Sequence, residues 1–199
     1  IEVLTGHHRA DLVTGAGRTV GEALCVHPDV DMISITGSTE AGARIAELGA
    51  PSVKRICQEL GGKSANVILD GADFATAVPA GISGIMLNCG QTCTALTRMI
   101  VPRSRQDEVV DLAVGALSKL TMGDPTSDDN FLGPVVSAGQ KSTVQDYVRT
   151  GIAEGARLVA GGPDDPAGFD TGFYVQPTIF ADVDNSMAIA QEEIFGPVL

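Results

Sequence analysis

Apolar and polar positions alternate along DMISIT (31–36), where Ile33 and Ile35 share one face at a period of two, and the stretch predicts a short strand. Before it, GRTVGEALCVHP (17–28) carries apolar residues at helical spacing until Pro28 closes it. After it, GSTEAGARIAELGA (37–50) predicts a second helix, with Ser38 as its cap, Glu40 in its first turn, and Ala41, Ile45 and Leu48 on its apolar side. Gly49 and Pro51 mark its end. VKRICQEL (53–60) and ANVILD (65–70) follow as strands separated by GGKS. From Asp73 a helix begins whose residues Phe74, Val78, Ile82, Ile85, Met86 and Cys89 recur every three or four positions, although Pro79, of a type that disfavours a helix interior, lies inside that pattern. LTRMIVP (96–102) is a strand, QDEVVDLAVGALSKL (106–120) an amphipathic helix, and a helix at 138–154 leads into a strand over ARLVAGG. FYVQPTIF (173–180) is the last strand. Helices alternate with strands throughout, so the expected class is α/β with largely parallel sheets.

Composition narrows the function. Hydrophobic residues make up 44% and charged residues 19% of the 199, enough apolar surface for a sizeable core. Twenty-four glycines against six Phe, two Tyr and no Trp point to close backbone approaches. A net charge of −12 would repel a phosphate backbone, which argues against nucleic acid as a partner. No apolar run reaches the ~20 residues that span a bilayer, and the opening IEVLTGHHRA has no charged-then-apolar leader, so the expected setting is soluble and cytoplasmic, away from membrane. The four cysteines, Cys25, Cys57, Cys89 and Cys93, are too few for a disulfide scaffold and lack metal-ligand spacing to His7, His8 or His27, so reduced thiols and no metal are expected. The chain begins at Ile1 and stops inside the apolar phrase EEIFGPVL, which suggests a segment of a longer polypeptide.

Three stretches carry candidate chemistry. In LNCGQTCTALTR (87–98), Cys89 closes the apolar stripe of its helix and is expected in the core, whereas Gly90 interrupts the helix and leaves Cys93 on a turn before the next strand. There its thiol and its own N–H can both face a cleft. In QELGGKSAN, Glu59 ends a strand and Gly61 and Gly62 leave room beside its carboxylate, a suitable place for a general base acting on water. In ITGSTEAG, Gly37 follows a strand and Ser38 opens a helix, offering free N–H groups and a helix N-terminus to a pyrophosphate.

Together these phrases resemble the aldehyde dehydrogenase family. TGSTEAG, QELGGKSAN, NCGQTCTALTRMIVP, LGPVVS, FYVQPTIF and QEEIFGPV occur in the family's order over nearly the whole chain. Gln58 and Met86 depart from the apolar and aromatic residues usual there. The resemblance implies Cys93 as nucleophile, Glu59 as general base, Gly37, Ser38, Leu60 and Gly61 as cofactor contacts, and Glu193 and Phe195 as contacts around the nicotinamide ribose and ring. It implies oxidation of an aldehyde with NAD, or NADP, through a thiohemiacetal and a thioester that water releases as the acid. It also implies residues 1–60 as the later part of a cofactor-binding domain, 61–199 as an incomplete catalytic domain, and a parent protein that is a homodimer or homotetramer. The alternatives are a branch that passes the thioester to coenzyme A, against which Glu59 speaks, and a protein of this fold without turnover, against which the pair Cys93 and Glu59 speaks.

Overall fold

The structure, a computed structural model, describes residues 11–199; the opening stretch with His7 and His8 lies outside them. The chain divides into two compact units, Ile1–Gly61 and Gly62–Leu199.

In the first unit, a turn of π-helix at Gly17–Gly21 runs into α1 (Glu22–Val26), followed by β1 (Met32–Gly37), α2 (Thr39–Gly49) and β2 (Arg55–Leu60). The strands pair in parallel, from Met32 opposite Arg55 to Gly37 opposite Leu60. Helix α2 connects them and covers one face. It lies close because Gly42 and Gly49, seven residues apart on one side of the helix, have no side chain: a Cβ on Gly42 would come within 2.7 Å of both Leu60 methyls, and one on Gly49 within 2.8 Å of Ile56 Cδ1. Gln58 uses the same approach, its Nε2 donating to the Gly42 carbonyl at 2.6 Å, which explains a polar residue on that face of β2. Strand alternation then puts Arg55, Cys57 and Glu59 on the face away from α2. Arg44 of α2 forks onto Glu22 of α1, with N–O distances of 3.2 and 2.8 Å.

In the second unit, β3 (Ala65–Val67) pairs in parallel with β4 (Arg98–Ile100), and α3 (Phe74–Met86) connects them. Helices α4 (Gln106–Leu117) and α5 (Ala138–Ala153) follow. Val78, Ile82, Ile85 and Met86 of α3, Val109, Ala113 and Leu117 of α4, and Val144 and Val148 of α5 form one continuous core. Strand β5 (Arg157–Ala160) pairs antiparallel with β6 (Ile179–Ala181), with a register break between Leu158 and Ala160, and α6 (Ala188–Gln191) precedes the last segment. That segment returns beside β6, where Thr178 N–H donates to Pro197 and Phe180 N–H to Leu199, both at 2.8 Å. Among the described residues no helix is long and apolar enough to cross a membrane.

Helix α3 runs through Pro79, as its apolar periodicity predicts; the carbonyl that loses its donor belongs to Ala75, an exposed residue whose oxygen water can serve. Two local expectations are corrected. The same helix ends at Met86, so Cys89 is not helical: Asn88 and Cys89 both have left-handed backbones, φ 52° and 54°. The last strand is Ile179–Ala181 and not 173–180, since Pro177 lacks the N–H a ladder needs. Among the described residues two of the three strand pairs are parallel and one is antiparallel, in keeping with an α/β class of largely parallel sheets.

Candidate active site

The first unit holds Gly37, Ser38, Glu59, Leu60 and Gly61, and the second holds Cys93, Glu193 and Phe195.

Gly37 ends β1 and Ser38 caps α2, its Oγ accepting from Ala41 N–H at 3.2 Å. Ser38, Thr39 and Glu40 are exposed and make no backbone N–H bond within the described residues, so three donors converge at the positive end of an 11-residue helix. An anion such as a pyrophosphate fits that position. Next to it, Leu60 is the residue opposite Gly37 in the sheet and packs on Gly42, so the end of β2 and the start of α2 form one surface. Glu59 is exposed at this end of β2, opposite Thr36.

In the second unit the turn that carries Cys93 is preceded by unusual backbone. Asn88, Cys89 and Gly90 are all left-handed, with Gly90 at φ 71°. Two side-chain amides hold the first of these: Asn88 Nδ2 donates to the Gln91 carbonyl at 2.9 Å, and Gln91 Nε2 donates back to the Asn88 carbonyl at 3.2 Å. Cys89 is 6% exposed, its thiol donates to the Gly133 carbonyl at 3.1 Å, and burial holds its pKa above the ordinary range. Cys93 occupies the second position of a turn closed by Ala95 N–H to the Thr92 carbonyl at 3.0 Å. Its thiol is exposed, and its own N–H bonds to nothing within the described residues. A thiol beside a free backbone donor can form a bond to a carbonyl carbon while the donor meets the oxygen.

Glu193 and Phe195 lie on the segment after α6. Glu193 Oε1 accepts from Gly62 N–H at 3.3 Å, and the Cys93 carbonyl stands 3.6 Å from where a Cβ of Gly62 would be, so Gly62 lies between the two. Phe195 is itself left-handed, φ 54°. The next residue makes the closest approach in the unit: a Cβ on Gly90 would overlap the Gly196 carbonyl and lie 2.8 Å from the Pro197 nitrogen. Sequence reasoning placed these residues but missed what joins them. Gln140 of α5 donates to the carbonyls of Ile194 and Phe195, and Lys63 sits beside Glu193 with its pKa lowered to about 8, first by burial and then by Arg98. The available signal for Gln140 was its place three residues after the cap Ser137. Among the described residues no cluster of ligands suits a metal.

Residues 9–199 match the aldehyde dehydrogenase family. The chain belongs to that family. Among curated relatives, a 3-succinoylsemialdehyde-pyridine dehydrogenase of a Pseudomonas species is 51% identical over 189 residues, which are 95% of this chain and 40% of the relative. A putative aldehyde dehydrogenase of Staphylococcus haemolyticus is 45% identical over 94% of this chain and 40% of its own. Among solved structures, aldehyde dehydrogenase C of Pseudomonas syringae, a cysteine-to-alanine mutant complexed with NAD+ and octanal, superimposes with TM-score 0.93 at 53% identity, covering 94% of this chain and 39% of that one. The Mycobacterium tuberculosis aldehyde dehydrogenase complexed with NAD+ gives 0.87 at 46% identity, over 90% and 37%. The aldehyde dehydrogenase fold of this chain thus spans about 40% of the length of the curated relatives it matches.

Proposed function

We propose that the protein containing this chain oxidises an aldehyde to a carboxylic acid with NAD, that the first unit belongs to its cofactor-binding domain, and that the second belongs to its catalytic domain. The observation that carries the reading is Cys93: an exposed thiol, with an unused backbone donor, on a turn whose left-handed residues are fixed by Gly90 against Gly196. Family membership and the NAD+ complexes of similar proteins support the cofactor.

In this reading the Cys93 sulfur bonds to the aldehyde carbon as the thiolate, the carbonyl oxygen takes negative charge, and the Cys93 N–H donates to that oxygen. NAD, when bound, supplies the acceptor for the hydride that leaves the same carbon, and the thiohemiacetal becomes a thioester on Cys93. Glu59 then takes a proton from water as the water oxygen bonds to the thioester carbon, and the acid leaves as the C–S bond breaks and the thiol is restored. The exposed N–H groups at the start of α2 bind the cofactor pyrophosphate, with Gly37 allowing close approach and Leu60 and Gly61 flanking it. Glu193 and Phe195 position the nicotinamide ribose and ring.

The test is NADH formation from a panel of aliphatic and aromatic aldehydes by the full-length protein and two variants. Cys93→Ala is expected to remove turnover, a loss on the order of a thousandfold or more. Glu59→Gln is expected to form NADH in a burst and then stall with an acyl group on Cys93, read by mass spectrometry. Turnover by Cys93→Ala at the parent rate would reject the reading, and acyl-coenzyme A in place of free acid would replace hydrolysis with transfer.

A further inference from the structure

The nucleophile turn and the segment bearing Glu193 and Phe195 are joined by a closed circuit that passes through the start of α5. Gln91 Oε1 accepts from Val136 N–H at 2.9 Å and Cys89 donates to the Gly133 carbonyl, so the turn is bonded twice to residues 133–136. Those residues lead directly to the cap Ser137, and Gln140 sits one turn into the helix, its N–H bonded to Ser137 Oγ at 3.1 Å. A glutamine at this position can fold back onto the cap's own N–H. Here its Nε2 reaches the other way, donating to the carbonyls of Ile194 at 3.0 Å and Phe195 at 2.9 Å.

The same side of α5 continues the contact. One turn on, Val144 fills the space a Gly196 side chain would need, and beyond it Tyr147 donates to Glu192 at 2.6 Å. The Gly196 carbonyl then meets Gly90, and the circuit closes. Phe195 has a backbone that a non-glycine residue adopts only when its surroundings impose it. The two bonds from Gln140 fall on its own carbonyl and on the one before it.

We propose that Gln140 is a positioning residue which, acting with Gln91, holds the Cys93 turn in register with the segment carrying Glu193 and Phe195. The inference rests on the functional reading above. Among the described residues Gln140 bonds to Ser137, Ile194 and Phe195 and not to Cys93, so any effect on that thiol must travel through the frame.

The experiment uses the full-length protein with Gln140→Glu, Gln140→Leu, Gln91→Leu and the Gln140→Glu/Gln91→Leu double variant. Two quantities are read: KM for NAD, and the second-order rate of iodoacetamide alkylation at Cys93, located by peptide mass mapping with neither cofactor nor aldehyde present. Gln140→Glu keeps the size but sets a carboxylate against two carbonyls, and it serves alone if the leucine variant fails to fold. Expected are a rise of roughly tenfold in KM, a several-fold slower alkylation, and a double variant little worse than its worse parent, because both changes loosen one frame. Alkylation within twofold of the parent, or a strictly additive double variant, would overturn the proposal, as would a lowered Tm with both readouts unchanged. If the protein oxidises no aldehyde, the functional reading fails, while the alkylation rates still decide this one.

Discussion

Both units bring chain segments together through glycine, and they do so in opposite ways. In the first, Gly42 and Gly49 let a regular helix lie on a regular strand, and the atoms a side chain would meet are the ends of Leu60 and Ile56. In the second, Gly90 meets the backbone of Gly196 and Pro197, in a turn where three successive residues are left-handed. A side-chain end can rotate away, but a peptide cannot. The first arrangement sets a spacing and the second fixes a position, and it is the second that holds the thiol.

Substituting alanine in each place separates the two. Gly90→Ala faces an overlap with backbone together with a left-handed conformation, which by itself costs about 1 to 2 kcal/mol. We expect a loss of about 3 kcal/mol or more in urea unfolding, and a fall in turnover on the order of a hundredfold even where the variant is folded. Gly42→Ala must move the Leu60 methyls but gains about 1 kcal/mol of helix propensity, so its net effect should stay within about 1 kcal/mol. Equal losses for the two would mean that the backbone contact at Gly90 has no special weight.

Ser38→Ala tests the first unit at its exposed corner. Removing the Oγ that accepts from Ala41 N–H should cost α2 about 1 kcal/mol and raise KM for NAD a few-fold with kcat little changed. A lower kcat at unchanged KM would place Ser38 in the chemistry and not in cofactor binding.

The same contrast explains what the sequence made visible. Strand β1, the Ser38 cap and helix α2 are contiguous and periodic, so their positions follow from local rules, and the two parallel pairs follow from alternation of helix with strand. Cys93 on a turn was also legible, because Gly90 punctuates the pattern. The way the turn is made was not. The left-handed run begins at Asn88, two residues before the glycine, and is set by the reciprocal amides of Asn88 and Gln91 and by a segment more than a hundred residues away. Pro79 is tolerated for a related reason: the cost of an interior proline depends on whether the orphaned carbonyl reaches water, and only the packing of α3 settles that. The last strand was overextended because its hydrophobic run continues through Pro177, where pairing stops.

The smallest effect concerns Lys63, next to Glu193. Its side chain lines a cleft of about 510 Å³ with Arg98, Met99, Asn185 and Leu199, and no hydrogen bond or ion pair reaches its amine among the described residues. Burial, and then the charge of Arg98, lower its pKa from 10.5 to about 8, against the pull of Glu193. Below pH 8 both folded and unfolded chains hold the proton, so this group adds no pH dependence. Between about 8 and 10.5 the unfolded chain keeps a proton that the folded chain has released, so the folded state gains stability as pH rises, and the gain levels off above 10.5. Lys63→Met removes the buried charge at nearly constant volume. It should flatten the rise in the urea midpoint across that window and, at pH 7, add on the order of 1 kcal/mol. The same rise in parent and variant would show that the amine reaches solvent. A variant less stable at pH 7 would show instead that the attraction of Glu193 outweighs the cost of burying the charge.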